Sequence, residues 1–271
     1  MASILDQIVQ SKFREVSRRK ELRPLKVLKD SIIFSQSSRS ASEAIMAQKH
    51  GAVIAEFKRK SPSKGWLQEN ADPRSISEKY QKAGAAIISV LTDEVFFGAK
   101  SDDFQRVRDT VDVPLLRKDF IIDPYQIYES KSMGADVILL IAKILPAKKL
   151  LELASLATDL GMETIVEYES VEEIDQLKGY TPGLCGINNR NLHNFEVHFQ
   201  KSIQLADLLP KAALKIAESG IKSARDAALL SRHGFHGFLI GEYFMSAADP
   251  GIQCEEFLNE LSLLTNQQHK K

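Results

Sequence analysis

The stretch AVIAEFKRKSPS (52–63) is an apolar run that closes on a lysine, and PLLRKDF (114–120) repeats the arrangement. Each is short and rich in Val, Ile and Leu, and each places its first charged residues where the apolar run stops. Working outward, runs of the same kind occupy 52–58, 86–92, 113–119, 135–141, 162–167, 184–188, 214–218 and 237–241. They are nearly continuous rather than alternating, as expected of parallel strands covered on both faces. Amphipathic segments separate them. In 146–160, Leu150, Leu151, Leu153, Ala154 and Leu156 form a helical stripe and Gly161 is the stop. Pro124 opens and Gly134 closes another, and 223–231 and 247–264 are similar. Strand then helix, eight times, predicts an α/β chain folded as a (β/α)8 barrel. A doubly wound open sheet is the rival, but no GxGxxG follows the first strand.

Length and composition fit one such domain. The chain has 271 residues, 44% of them hydrophobic, and an α/β barrel typically takes about 250 residues. Residues 51–265 are read as the barrel and 1–50 as a helical extension of the same domain, expected to cover one of its ends. In it, Ile4, Leu5, Ile8, Val9, Phe13 and Val16 make a stripe, and Ser40 with Glu43 resembles a capping box. Lys plus Arg and Asp plus Glu are both 36, so net charge gives no reason to expect nucleic acid or an anionic membrane as partner. No stretch approaches the roughly 18 apolar residues of a membrane span, and the charged N-terminus does not read as a signal peptide. Cys185 and Cys254 form no CxxC and fit a reducing compartment, so cytoplasm is the expected location. No long exposed apolar stripe is evident, so a monomer is expected. The six histidines show no metal-ligand spacing, and no metal is expected.

Strand parity gathers the polar strand ends, because alternate side chains share a face. Glu56 and Lys58 fall on the face of Ile54, Lys118 on that of Leu116, Glu167 on that of Ile165, and Asn188 and Arg190 on that of Gly186. Charges on a barrel's inner face are costly unless paired or used. They are at home on the C-terminal rim, where barrel enzymes hold their active sites. Ser61 after the first strand, Glu218-Ser219-Gly220 after the seventh and Gly241-Glu242 after the eighth suggest a phosphate cradle. Glu242 would repel phosphate, so its contribution is expected from backbone N–H. Phe97, Phe120, Leu192 and Leu239 suit a flat aromatic substrate, whereas Phe96 reads as core packing.

These motifs resemble indole-3-glycerol phosphate synthases. The resemblance rests on IAEFKRKSPS (54–63), VLTDEVFFGA (90–99), LLRKDFIIDPYQI (115–127), ADVILLIAKIL (135–145), VEYES (166–170), GINNRNL (186–192), IAESGI (216–221) and LIGEYFM (239–245), in the family's order. The family implies a cofactor-free small-molecule reaction. 1-(o-Carboxyphenylamino)-1-deoxyribulose 5-phosphate closes to indole-3-glycerol phosphate with loss of carbon dioxide and water. For that chemistry Lys118 is the expected general acid at the ketone oxygen, and Lys58 the holder of the anthranilate carboxylate. Glu167 is the expected base for the anilino proton. Glu56 and Asn188 would orient these groups, Glu218 would extend the polar layer, and Arg190 would close the rim by ion pairing. Rival readings are a Schiff-base aldolase using Lys118 or Lys58, another sugar-phosphate isomerase, or a non-catalytic phosphate-ligand sensor.

Overall fold

The computed structural model describes residues 3–190 and 197–266. Eight parallel strands close into a barrel: β1 (Ala52–Phe57), β2 (Ile87–Leu91), β3 (Leu115–Lys118), β4 (Val137–Ile141), β5 (Glu163–Tyr168), β6 (Leu184–Asn188), β7 (Leu214–Glu218) and β8 (Gly237–Ile240). Each pairs with its sequence neighbours, and β1 meets β8 with Ala52 opposite Gly237. All eight strand expectations are met, with ends shifted by a residue or two. An antiparallel ladder of Lys60–Ser61 with Gly65–Trp66 follows β1 as a hairpin over the rim.

The alternation of strand side chains makes two apolar layers. Ile54, Ile87, Leu116, Val137, Leu139, Ile165, Leu184, Ile216 and Leu239 cluster as the barrel interior. Val53, Phe57, Ile88, Val90, Leu140, Val166, Cys185 and Phe238 belong to the larger layer shared with the surrounding helices. Burying one such Leu, Ile or Phe contributes about 1.5–3 kcal/mol, so the two layers fix strand register: a one-residue slip would exchange them. In the helix Ala147–Asp159, Leu150, Leu153 and Ala154 are buried as the stripe requires. Leu151 is turned to solvent, because the apolar arc is narrower than the run of leucines suggests.

The extension serves both ends of the barrel rather than one. Helix α1 (Ile4–Leu22), capped by Ser3 and Asp6, runs over the C-terminal rim; Leu5, Ile8, Lys12 and Val16 are its buried line. Phe13, expected in that line, is exposed. The short helix Ala41–Met46 plugs the N-terminal end, where Ala41 and Ile45 join the interior cluster. The Ser40 hydroxyl accepts from the Glu43 N–H as expected of an N-cap, and also donates to Glu163 at the start of β5 at 2.8 Å. Among the described residues no helix is long and apolar enough to cross a membrane.

Candidate active site

At the C-terminal rim the strand ends enclose a cavity of about 530 Å³, a volume typical of small-molecule sites. Glu56, Lys58, Ser61, Phe97, Lys118, Phe120, Glu167, Asn188, Arg190, Ser219, Gly220, Leu239, Gly241 and Glu242 all line it. Glu218 lies just beneath, 1% exposed. Leu192 falls outside the described residues. Sequence parity did not reveal the roof, which Ile4, Leu5 and Ile8 of α1 supply. The only signal was the apolar stripe itself, which says that a face is buried and not what it meets.

The charged floor combines residues from opposite sides of the barrel. Lys118 Nζ on β3 lies 3.3 Å from Glu167 Oε2 on β5 and donates a short hydrogen bond to Glu218 Oε2 on β7. Asn188 Nδ2 donates to the other Glu167 oxygen at 3.3 Å. Lys58 pairs with Glu56 at 2.7 Å. Two glycines make room for the acids. A methyl group at Gly186 would lie 2.1 Å from Glu218 Oε1, and one at Gly241 would lie 2.2 Å from Glu56 Oε1. Any larger residue there would push a carboxylate off its lysine.

Burial alone would depress the Lys118 ammonium, but Glu218, Glu167 and Glu56 together outweigh it and hold the lysine charged. Glu218 answers in the opposite sense. Burial raises its carboxyl first, Lys118 lowers it, and Glu167 raises it again, so it is pushed up to about 8. These directions are compatible if Glu218 carries a proton beside a charged Lys118. Among the described residues Glu218 Oε1 is buried without a hydrogen-bond partner, and a bound proton removes that deficit. A raised carboxyl makes the folded state hold its proton more tightly than the unfolded one. Its contribution to stability is full below the ordinary value of 4.5 and is lost as pH rises through about 8. Glu218→Gln is expected to flatten that decline. Melting temperatures of both proteins from pH 5 to 9 check it, and an unchanged slope would disprove the raised Glu218 carboxyl.

The opposite side of the cavity is formed by the turn after β7. Ser219 is a non-glycine residue in the left-handed region, with φ 66°, followed by Gly220 at φ 74°. Such a conformation is uncommon and persists where the surroundings enforce it. Here Asn189 does so: its N–H donates to Glu218 O at 2.8 Å and its amide to Ser219 O at 2.9 Å. Beside this turn Arg190 donates to Ser63 at 3.0 Å and pairs with Glu242 at 3.1 Å, tying the β1 hairpin to the rim after β8. The Glu242 carboxylate is thus engaged by Arg190. At the other end Phe97 and Phe120 are neighbours, with ring centroids 6.0 Å apart. Phe96 is only half-buried and belongs to neither apolar layer, contrary to the core reading. Its N–H is taken by the N-cap Asp93 at 2.8 Å. No group of three or more His, Cys, Asp or Glu that could hold a metal occurs among the described residues.

A closed (β/α)8 barrel with a lysine–carboxylate cluster on its C-terminal rim defines the chain as a (β/α)8-barrel protein whose candidate site lies at that rim. Solved structures of this architecture include 3-hexulose-6-phosphate synthase from Salmonella typhimurium (TM-score 0.64, 13% identity, 79% of this chain and 99% of that one). Another is the tryptophan synthase alpha subunit from Legionella pneumophila (TM-score 0.60, 14% identity, 84% and 97%). At these identities the likeness concerns the fold alone. Sequence similarity goes further. Residues 5–257 match the indole-3-glycerol phosphate synthase family. The chain is 43% identical over 261 residues to the indole-3-glycerol phosphate synthase of Bacteroides thetaiotaomicron, covering 96% of this chain and all of that protein. It is 42% identical over 256 residues to that of Bordetella pertussis, covering 93% and 98%. The chain belongs to the indole-3-glycerol phosphate synthase family, whose members are carboxy-lyases.

Proposed function

We propose that this chain converts 1-(o-carboxyphenylamino)-1-deoxyribulose 5-phosphate to indole-3-glycerol phosphate, carbon dioxide and water. The observation that carries the reading is a charged Lys118 set between Glu167 and Glu218, with the Phe97–Phe120 pair at one end of the cavity and the Ser219–Gly220 turn at the other. The anthranilate ring lies between the aromatic pair and the α1 roof. The phosphate sits on the N–H groups of Ser219, Gly220, Gly241 and Glu242 and on the Ser61 hydroxyl. Held at both ends, the flexible chain brings ring carbon and ketone together, and such proximity is worth as much as any single catalytic group.

The ring carbon that bears the carboxylate attacks the ketone carbon. Lys118 gives a proton to the ketone oxygen as its charge develops. Loss of carbon dioxide returns the bonding electrons to the ring. The new hydroxyl then leaves as water, protonated by a lysine, and Glu167 accepts the proton released as the five-membered ring becomes aromatic. Lys58, oriented by Glu56, holds the departing carboxylate until it is lost, and Asn188 fixes Glu167. No step calls for a metal or an organic cofactor. A Schiff-base role for Lys118 is disfavoured by its upward shift, because an imine-forming lysine must be a free amine.

The test is direct. Purified protein and the carboxyphenylamino ribulose phosphate should give indole fluorescence and one carbon dioxide per indole, unaffected by chelator. Borohydride trapping of a lysine adduct, or tight binding without turnover, would overturn the assignment.

A further inference from the structure

We propose that Lys12 of helix α1 is a positioning residue for the aromatic end of the cavity. The proposal rests on the functional reading above for what that end receives. Lys12 is fully buried, on a helix that otherwise buries apolar residues. Its ammonium has three protons, and three carboxylates surround it: Glu15 at 2.8 Å, Asp93 at 3.0 Å and Asp119 at 2.8 Å. Burial opposes its charge, yet Asp119, Asp93 and Glu15 together outweigh that effect and keep it charged.

What those aspartates hold gives the lysine its significance. Asp93 is the N-cap of the turn Glu94–Phe97 and accepts the Phe96 N–H at 2.8 Å, so it sets where Phe97 stands. Asp119 accepts the N–H of Phe120 at 2.8 Å and the hydroxyl of Thr92 at 2.7 Å, and follows Lys118 directly in the chain. One turn before Lys12 on the same face is Ile8, part of the cavity roof. A single ammonium thus joins the roof to both residues of the aromatic wall and sets the gap between them. An apolar side chain at position 12 could fill the volume but could not bind the two aspartates. The remainder of α1 has its own attachments. Arg19 pairs with Glu129 at 3.1 Å, Lys20 with Asp123 at 2.7 Å, and Tyr125 donates to the Arg19 and Arg23 carbonyls. Loss of Lys12 therefore loosens the roof without releasing the helix.

The experiment compares wild type with Lys12→Met and with Lys12→Met/Asp93→Asn. The double variant removes an ammonium and a carboxylate together and leaves Asp119 paired with Arg117. KM for the carboxyphenylamino substrate should rise about tenfold, equivalent to about 1.4 kcal/mol, with kcat reduced by a smaller factor. Calorimetry with anthranilate and with inorganic phosphate separates the two ends: anthranilate binding should weaken in step with KM while phosphate binding is unchanged. An unchanged KM overturns the proposal, and so does equal weakening of both probes, which is what general destabilisation produces. If neither variant folds, Lys12 is a stability residue and the proposal is equally overturned. A wild-type protein that binds both probes but does not turn over substrate sinks the functional reading instead, and the binding comparison still decides the role of Lys12.

Discussion

Lys118→Met is expected to lower kcat by about 10³-fold or more, within the 10²–10⁴-fold range of a general acid, while KM stays within about threefold. In the proposed reaction the lysine acts on a ketone oxygen that carries little charge until the transition state, so its removal withdraws stabilisation that the ground state hardly uses. Both neighbouring acids have other supports: Glu167 keeps Asn188, and Glu218 keeps its place over Gly186. The variant should therefore fold. Without the ammonium, burial and the neighbouring Glu167 charge drive Glu218 to hold its proton more firmly, and the residual rate should require higher pH to reach its plateau. Steady-state kinetics across pH 6 to 9, beside circular dichroism of the variant, check this. A fall of less than tenfold with the fold intact would move the acid's role to Lys58.

Much of this site could be read from the sequence because a barrel turns one-dimensional parity into a place. Leu116 and Lys118, Ile165 and Glu167, and Gly186 and Asn188 alternate as a strand demands, and closure brings their ends to one rim. Ser219 and Gly220 were legible as a turn, though not the left-handed Ser219 backbone, which Asn189 enforces from another strand. Which ammonium meets which acid was not legible. Lys118 reaches across to Glu218, a hundred residues later, and that contact depends on how far each strand is staggered against the next. Parity also hid what lay on the opposite face. Arg59 and Arg117, next to Lys58 and Lys118 in the chain, are both buried. Arg59 holds Asp103 and the Ala71 carbonyl and anchors the hairpin that carries Ser61. Lys12 was hidden for a different reason: a single lysine within an apolar stripe ordinarily reads as a helix edge.

Arg117→Met is expected to destabilise the fold by about 3–5 kcal/mol, the cost of breaking a buried ion pair from one side. The guanidinium has no exposed surface. It donates to Asp119 at 2.9 Å, Glu129 at 2.7 Å, Ser130 at 3.1 Å, Thr92 at 3.2 Å and the Gln126 carbonyl at 3.3 Å. It thereby fastens the helix Pro124–Ser132 to β3 just behind Lys118. Met fills much of the volume, so the loss comes from the stranded acids. Asp119 retains Lys12 and Glu129 retains Arg19, but each gives up one of its two strongest counter-charges. For a chain of this size the melting temperature should fall by about 10 °C, at roughly 2–4 °C per kcal/mol. The pH dependence identifies the cause. Burial opposes ionisation of both carboxylates. Lys12 and Arg117 outweigh it at Asp119, and Arg117 and Arg19 outweigh it at Glu129, so both acids sit below their ordinary values in the folded wild type. The stability they contribute is present above the ordinary carboxylate range and is lost as pH falls below it. The gap between wild type and Arg117→Met, measured by urea unfolding, should therefore be widest near pH 7 and narrow steadily below about pH 4. A gap of constant size across that range would trace the loss to packing around the methionine rather than to unpaired charge.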